Sequence, residues 1–172
     1  RPDPDARGLR FGVVAARFNE RYVQRLVDGA LETLRRQGAA VAAADVTWVP
    51  GSLELPLAAR WAARDAQGHR RCDAVLAFGV VIRGETEHFR LVADASAHGL
   101  MRVALDTGVP VLNGVLAAYD ADQAAAYAAL CRVLIEFSPI AAPFLPFVTE
   151  AMYRNLRSEG MHLVVAQPAQ MP

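Results

Sequence analysis

The sequence predicts an α/β fold in which helices wrap a parallel sheet, and three observations carry that prediction. Short apolar runs dense in Val, Leu, Ile and Phe alternate with longer segments of helical periodicity through roughly two-thirds of the chain. Glycine, proline or small polar residues punctuate the joins between them. The composition is globular, 53% hydrophobic and 21% charged, and 172 residues suffice for one α/β domain with a sizeable core.

The elements follow in order. Arg1 to Gly8 is polar, carries two prolines and reads as a flexible arm. Leu9 to Ala16 is the first strand. Arg21 to Gln37 is a helix, with Tyr22, Val23, Leu26, Val27, Ala30, Leu31 and Leu34 along one face and Gly38 closing it. Val41 to Val49 is the second strand and Pro50-Gly51-Ser52 a turn. Leu53 to Ala66 is the second helix, with Pro56 tolerated because it falls in the first turn. Asp73 to Ile82 is the third strand, apolar enough for burial on both faces. Glu87 to Leu105 is a third, proline-free helix with Thr86 as its N-cap. Gly108-Val109-Pro110 turns into a fourth strand, Val111 to Leu116, and Asp106 and Thr107 serve that turn. Asp122 to Phe137 is a further helix.

Past Gln123 the character changes. Ser138-Pro139, Pro143 and Pro146 interrupt helical pattern, Phe137, Phe144, Leu145, Phe147 and Val148 form an apolar cluster, Phe144 to Leu156 reads as a short helix, and Gly160 to Pro172 reads as a loose tail. The chain therefore divides into an α/β body over 1–123 and a helical tail over 124–172.

Several function classes are disfavoured by composition. The formal net charge is zero, which gives no electrostatic basis for nucleic-acid or membrane-surface binding. All 18 basic side chains are arginine, so neither lysine Schiff-base chemistry nor a P-loop is open to this chain. Cys72 and Cys131 are too few for a zinc framework or a disulfide scaffold and read as buried thiols. His69, His98 and His162 lack partners at ligand spacing, so no metal site is expected. No signal peptide is visible, no run reaches the ~20 apolar residues of a membrane span, and a cytoplasmic location is the expectation.

In parallel sheets, ligands bind outside the carboxyl ends of the strands. The loops predicted there are Arg17-Phe18-Asn19-Glu20, Pro50-Gly51-Ser52-Leu53-Glu54, Arg83-Gly84-Glu85-Thr86-Glu87-His88 and the segment that follows Leu116. In the third, a glycine, a hydroxyl, an arginine and free helix N–H groups meet where strand feeds helix, an arrangement suited to phosphate. His88, one turn in, can move protons near neutral pH. Arg90 is expected to pair with Asp94, four residues on.

Four segments carry a resemblance: Ala16-Arg17-Phe18-Asn19-Glu20, Val49 to Pro56, Gly79 to Phe89, and Leu105 to Val111 with Gly114-Val115-Leu116. In order and spacing they closely resemble the lumazine synthases, which perform the penultimate step of riboflavin biosynthesis. The resemblance runs from about Leu9 to Gln123. It implies a flavodoxin-like three-layer sandwich with a four-stranded parallel sheet, assembled into pentamers and sometimes into shells of twelve pentamers. The implied reaction condenses 5-amino-6-(D-ribitylamino)uracil with 3,4-dihydroxy-2-butanone 4-phosphate, releases phosphate and water, and uses no metal or organic cofactor. By the same resemblance, Phe18 stacks on the pyrimidine with Asn19 beside it. Ser52 and Glu54 bind the ribityl chain, and the backbone of Val80, Val81 and Ile82 lines the pyrimidine pocket. Gly84, Glu85 and Thr86 cradle the phosphate, and His88 transfers protons. Asn113 faces the substrate from an adjacent subunit.

The chain departs from that family in three places. Arg90 stands where an acidic residue is common. The stretch Ala121 to Tyr127 lacks the family's phosphate-binding arginine, which leaves Arg83 and Arg132 as the cations for that task. The C-terminal helix with its Asn-Lys-Gly signature is missing. Instead, Tyr127 to Arg157 with Met161-His162-Leu163 is similar to the anticodon-binding region of isoleucyl-tRNA synthetases, without any aminoacylation motif. Arg132, Arg154 and Arg157 are its only cations, so nucleic-acid binding is not expected. The alternative to an enzyme is a noncatalytic pyrimidine-binding or assembly protein with an incomplete phosphate site.

Overall fold

Four apolar runs pair into a single sheet: β1 (Phe11–Ala16), β2 (Val46–Val49), β3 (Ala74–Ile82) and β4 (Val111–Ala118), all parallel, in the order β2-β1-β3-β4. This is the architecture of a computed structural model that describes residues 5–42 and 45–127. The expectations for 128–172, which include Cys131, Arg132, His162 and the tail's helices, lie outside the described residues.

The sheet's two-residue alternation splits the core into two layers. Val13, Ala15, Leu76, Phe78 and Val80 face α1 (Glu20–Arg36), which buries Tyr22, Val23, Leu26, Val27, Ala30 and Leu31 against them. Val14, Ala16, Val75 and Ala77 face α2 (Leu55–Ala63) and α3 (His88–Thr107), which contribute Leu55, Ala58, Ala59, Leu100 and Val103. Each fully buried Leu or Val stabilises the fold by about 1.5–3 kcal/mol. Residues 121–127 are helical, and Ala124 is buried in the α1 layer with Tyr127 packed beside it. Helices therefore cover both faces of β3, and Val75 through Val81 is buried throughout.

Local chemistry moves several boundaries. Asp5–Gly8 is not a free arm: Ala6 is buried and its N–H donates to the Gln37 carbonyl at 2.8 Å. The second strand is shorter than predicted because Asp45 turns back on Ala42, accepting its N–H at 2.8 Å. The predicted second helix divides into a 3₁₀ turn (Ser52–Glu54) and α2, with Pro56 in the first turn. α2 stops at Ala63 because Arg64 goes extended, and its guanidinium clamps the Thr107 carbonyl at the end of α3. Gly38 ends α1 with φ +90°, as expected of a glycine there. Thr107 serves the turn before β4: its hydroxyl donates to the Val103 carbonyl at 2.6 Å and accepts the Val109 N–H at 3.2 Å.

Cys72 is buried, and its thiol is pushed up chiefly by that burial. His69 and His98 are exposed. Among the described residues no helix is long and apolar enough to cross a membrane.

α2 and α3 pack tightly at Gly99, where a Cβ would stand 2.5 Å from Pro56 Cγ. Alanine would gain about 1 kcal/mol of helix propensity there. The proline ring cannot swing aside, so overpacking of about 1–3 kcal/mol wins. Gly99→Ala is expected to lower the urea midpoint of unfolding; a raised midpoint would show that the two helices separate without penalty.

Candidate active site

The strand order reverses between β1 and β3, and the loops leaving their carboxyl ends flank the crevice where α/β sheets take ligands. Backbone bonds tie the first loop to the second, with Arg17 N–H donating to the Val49 carbonyl at 2.8 Å and Phe18 N–H to the Pro50 carbonyl at 3.0 Å. Held this way, Phe18 is 69% exposed. Asn19 has φ 61°, the only non-glycine residue with positive φ among those described, and its Nδ2 donates to the Val80 carbonyl at 2.8 Å. Asparagine is among the side chains that tolerate this conformation. α1 begins on the same residue, since the Tyr22 and Val23 N–H groups donate to the Asn19 carbonyl.

Ser52 is 4% exposed. It lies against β3 only because position 79 is glycine: a Cβ there would come within 2.6 Å of Ser52 Oγ. Glu54 is exposed, and its Oε2 accepts the Gly51 N–H at 2.8 Å, which shapes the turn. The side chains of Val80 and Val81 are buried and that of Ile82 is half-buried, so this strand end offers a ligand its backbone and not its side chains.

Residues Arg83 to His88 are all exposed. Among the described residues, no acceptor meets the N–H groups of Gly84, Glu85, Thr86, Glu87 or His88. Thr86 does not cap α3 as predicted. The cap position falls on Glu87 without a side-chain cap bond, because Glu87 already has near-helical backbone (φ −70°) and the helix begins at His88. The Thr86 hydroxyl is thereby left without a partner among the described residues. His88 occupies the first helical position, exposed and likewise without a partner there.

Arg90 does not reach forward to Asp94. Helical side chains lean toward the N-terminus, and Arg90 Nε meets Glu87 Oε2 at 3.1 Å. Arg83 shares the same carboxylate, at 3.3 Å from Oε1. The Arg83 guanidinium also lies 5.9 Å from the ring centroids of both Phe89 and Tyr119, which pack edge to face at 6.0 Å. Sequence reading missed Tyr119, whose contact with Arg83 depends on β4 ending beside β3, and it missed the shared Glu87, whose pairs with Arg83 and Arg90 are local, four and three residues apart.

Asn113 is not brought to these loops. It pairs with Ala77 in mid-sheet, five residues before Ala118, the partner of Ile82, or about 16 Å along the strand. Its Oδ1 accepts the Val115 N–H at 3.0 Å on an exposed sheet edge.

Comparison with known proteins places this geometry in context. A family model described as 6,7-dimethyl-8-ribityllumazine synthase matches residues 8–132, nine residues beyond the boundary read from composition. A protein of that name from Thermococcus gammatolerans is 51% identical over 114 residues, covering 66% of this chain and 70% of its own. One from Stenotrophomonas maltophilia is 52% identical over 119 residues, covering 69% and 74%. One from Paraburkholderia phytofirmans is 46% identical over 125 residues, covering 73% and 72%.

The Asn19 geometry predicts an order of stability. Asn19→Ala loses the bond to Val80 and places a Cβ in left-handed backbone, at a combined loss of about 2 kcal/mol. Asn19→Gly loses only the bond and gains chain entropy in the unfolded state, so it should fall between wild type and alanine in chemical denaturation. A glycine variant no better than alanine would remove backbone conformation from the account.

Proposed function

The chain belongs to the 6,7-dimethyl-8-ribityllumazine synthase family, and on that premise we propose how its own residues carry out the reaction. It is an enzyme of riboflavin biosynthesis, a transferase that condenses 5-amino-6-(D-ribitylamino)uracil with 3,4-dihydroxy-2-butanone 4-phosphate. The observation that carries the site assignment is the edge formed by β1 and β3. An exposed Phe18, the residue Ser52 set against Gly79, and a run of N–H groups from Gly84 to His88 without acceptors among the described residues emerge there together.

In this reading Phe18 stacks on the pyrimidine, and Asn19, tied to the Val80 carbonyl, keeps the backbone of Val80, Val81 and Ile82 open to the pyrimidine edge. Ser52 and Glu54 take ribityl hydroxyls. Gly84, Glu85 and Thr86 cradle the phosphate. The uracil's primary amine condenses with the ketone and water leaves. Loss of a proton beside the resulting imine lets phosphate depart with the C–O electron pair, and attack by the ribityl-bearing nitrogen closes the ring with loss of a second water. Each step moves protons, and His88 is the group within reach of the cradle that can relay them. Holding both substrates together supplies much of the acceleration. The noncatalytic alternative is disfavoured by relatives at 46–52% identity that carry the synthase name. The reaction is assigned to the body, 1–123, and not to the tail, 124–172.

The same reading makes the protein a homo-oligomer, a pentamer or a shell of pentamers, with a cytoplasmic location. Two exposed apolar stripes support assembly. α3 presents Leu91, Met101 and Leu105 along a line with Asp94 and His98, and Leu53, Leu57 and Trp61 line the solvent side of the Ser52–Ala63 segment at four-residue spacing. Two different stripes on one chain favour head-to-tail contact, which closes into rings. Asn113, remote from its own loops, reaches a site only on a neighbouring copy.

The decisive assay mixes the full chain with both substrates and follows the fluorescent lumazine; formation at the uncatalysed rate by folded protein would refute the assignment. His88→Ala is expected to lower turnover about ten- to a hundredfold, because proximity survives while proton relay is lost. Its circular dichroism should match wild type, and an unchanged turnover number would remove His88 from the mechanism. Leu105→Glu should lower the mass seen in sedimentation; an unaltered mass would exclude the α3 stripe from assembly.

A further inference from the structure

Resting on that reading of the site, we propose that Arg83 supplies the counter-charge for the substrate phosphate and that Glu87 holds it ready between turnovers. A phosphate monoester brings close to two negative charges, whereas the end of a helix offers only about half a positive charge. The unpaired N–H groups of Gly84 to His88 can therefore orient the phosphate without neutralising it. A guanidinium can do both, through paired N–H···O bonds.

Two cations flank this loop, Arg83 and Arg90, and the described residues from Tyr119 to Tyr127 contribute none. Arg17, the other cation at this edge, is turned away: it lies 5.4 Å from the Trp48 centroid and pairs with Glu20 at 3.1 Å. Arg83 is anchored where the cradle starts. It immediately precedes Gly84, and its N–H donates to the Ala118 carbonyl at 2.8 Å. Its guanidinium lies near Phe89 and Tyr119, each 5.9 Å away. Its side chain is 46% exposed against 60% for Arg90, so water screens it less. The Arg83–Glu87 pair is a surface pair of the kind that holds weakly, and a dianion arriving at the cradle displaces it. Glu87 is not stranded when Arg83 leaves, because Arg90 still holds its other oxygen at 3.1 Å.

The test measures steady-state kinetics of the full chain with each substrate varied in turn, together with calorimetric binding of inorganic phosphate. Arg83→Gln should raise the KM for the butanone phosphate, and the Kd for inorganic phosphate, about tenfold or more. The KM for the ribitylaminouracil should stay within about twofold, which also reports an intact fold. Arg83→Lys should recover part of the loss, since charge returns without the paired geometry. Phosphate binding needs no turnover: a wild type that forms no lumazine yet binds phosphate through Arg83 would remove the reaction and leave this proposal standing. An unchanged phosphate Kd and KM in Arg83→Gln, or a loss that appears in Arg90→Gln instead, would overturn it.

Discussion

Asn19 Nδ2 donates to the Val80 carbonyl across 2.8 Å, and that bond ties the exit of β1 to the exit of β3. Backbone bonds tie the exit of β1 to that of β2 and the exit of β3 to that of β4, whereas the register of β1 with β3 ends at Ala15 and Phe78. Asn19 supplies the missing link from a backbone conformation few residues accept, while its carbonyl starts α1. The start of the crossover helix and the open end of β3 meet at this one residue, while backbone bonds to Val49 and Pro50 hold Phe18 beside them.

β3 is the other fixed point. Its burial on both faces leaves little freedom, and its glycine at position 79 admits Ser52 from the far side of the sheet. Ser52 is thus buried against β3, while no buried side-chain oxygen or nitrogen among the described residues lacks a partner. Backbone makes up most of the rest of this edge: Val80 to Ile82 bury their side chains wholly or partly, and the N–H groups of Gly84 to His88 meet no acceptor among the described residues. A site made of main chain is well suited to a phosphate and a planar ring, since N–H and C=O positions are set by the strand and helix themselves.

The charged cluster at the start of α3 shows how exposed groups can still be organised. Glu87 joins Arg83 and Arg90, while Phe89 and Tyr119 present rings to the guanidinium between them. No member of the cluster is buried enough for its pairing to dominate stability. Exposed pairs of this kind hold weakly, which suits the proposed exchange of Arg83 between Glu87 and a phosphate.

Much of this was legible in the chain itself. The apolar run Asp73 to Ile82 announced a central strand, the spacing from Tyr22 to Leu34 announced α1, and Gly38 and Pro56 sit where their backbone chemistry demands. The three loops at the sheet edge, and the family to which they belong, followed from residue order because local patterns repeat over distances shorter than a helix. Two local choices went against the prediction, for Thr86 gave up the cap to Glu87 and Arg90 turned back to Glu87 and not forward to Asp94. Tertiary structure decided the rest: Tyr119 came beside Arg83 only because β4 ends next to β3. Asn113 was left far from its own chain's site. Local patterning fixes which segments become strands and helices; which side chains then meet depends on register and on where each strand ends, and those are settled only when the whole sheet closes.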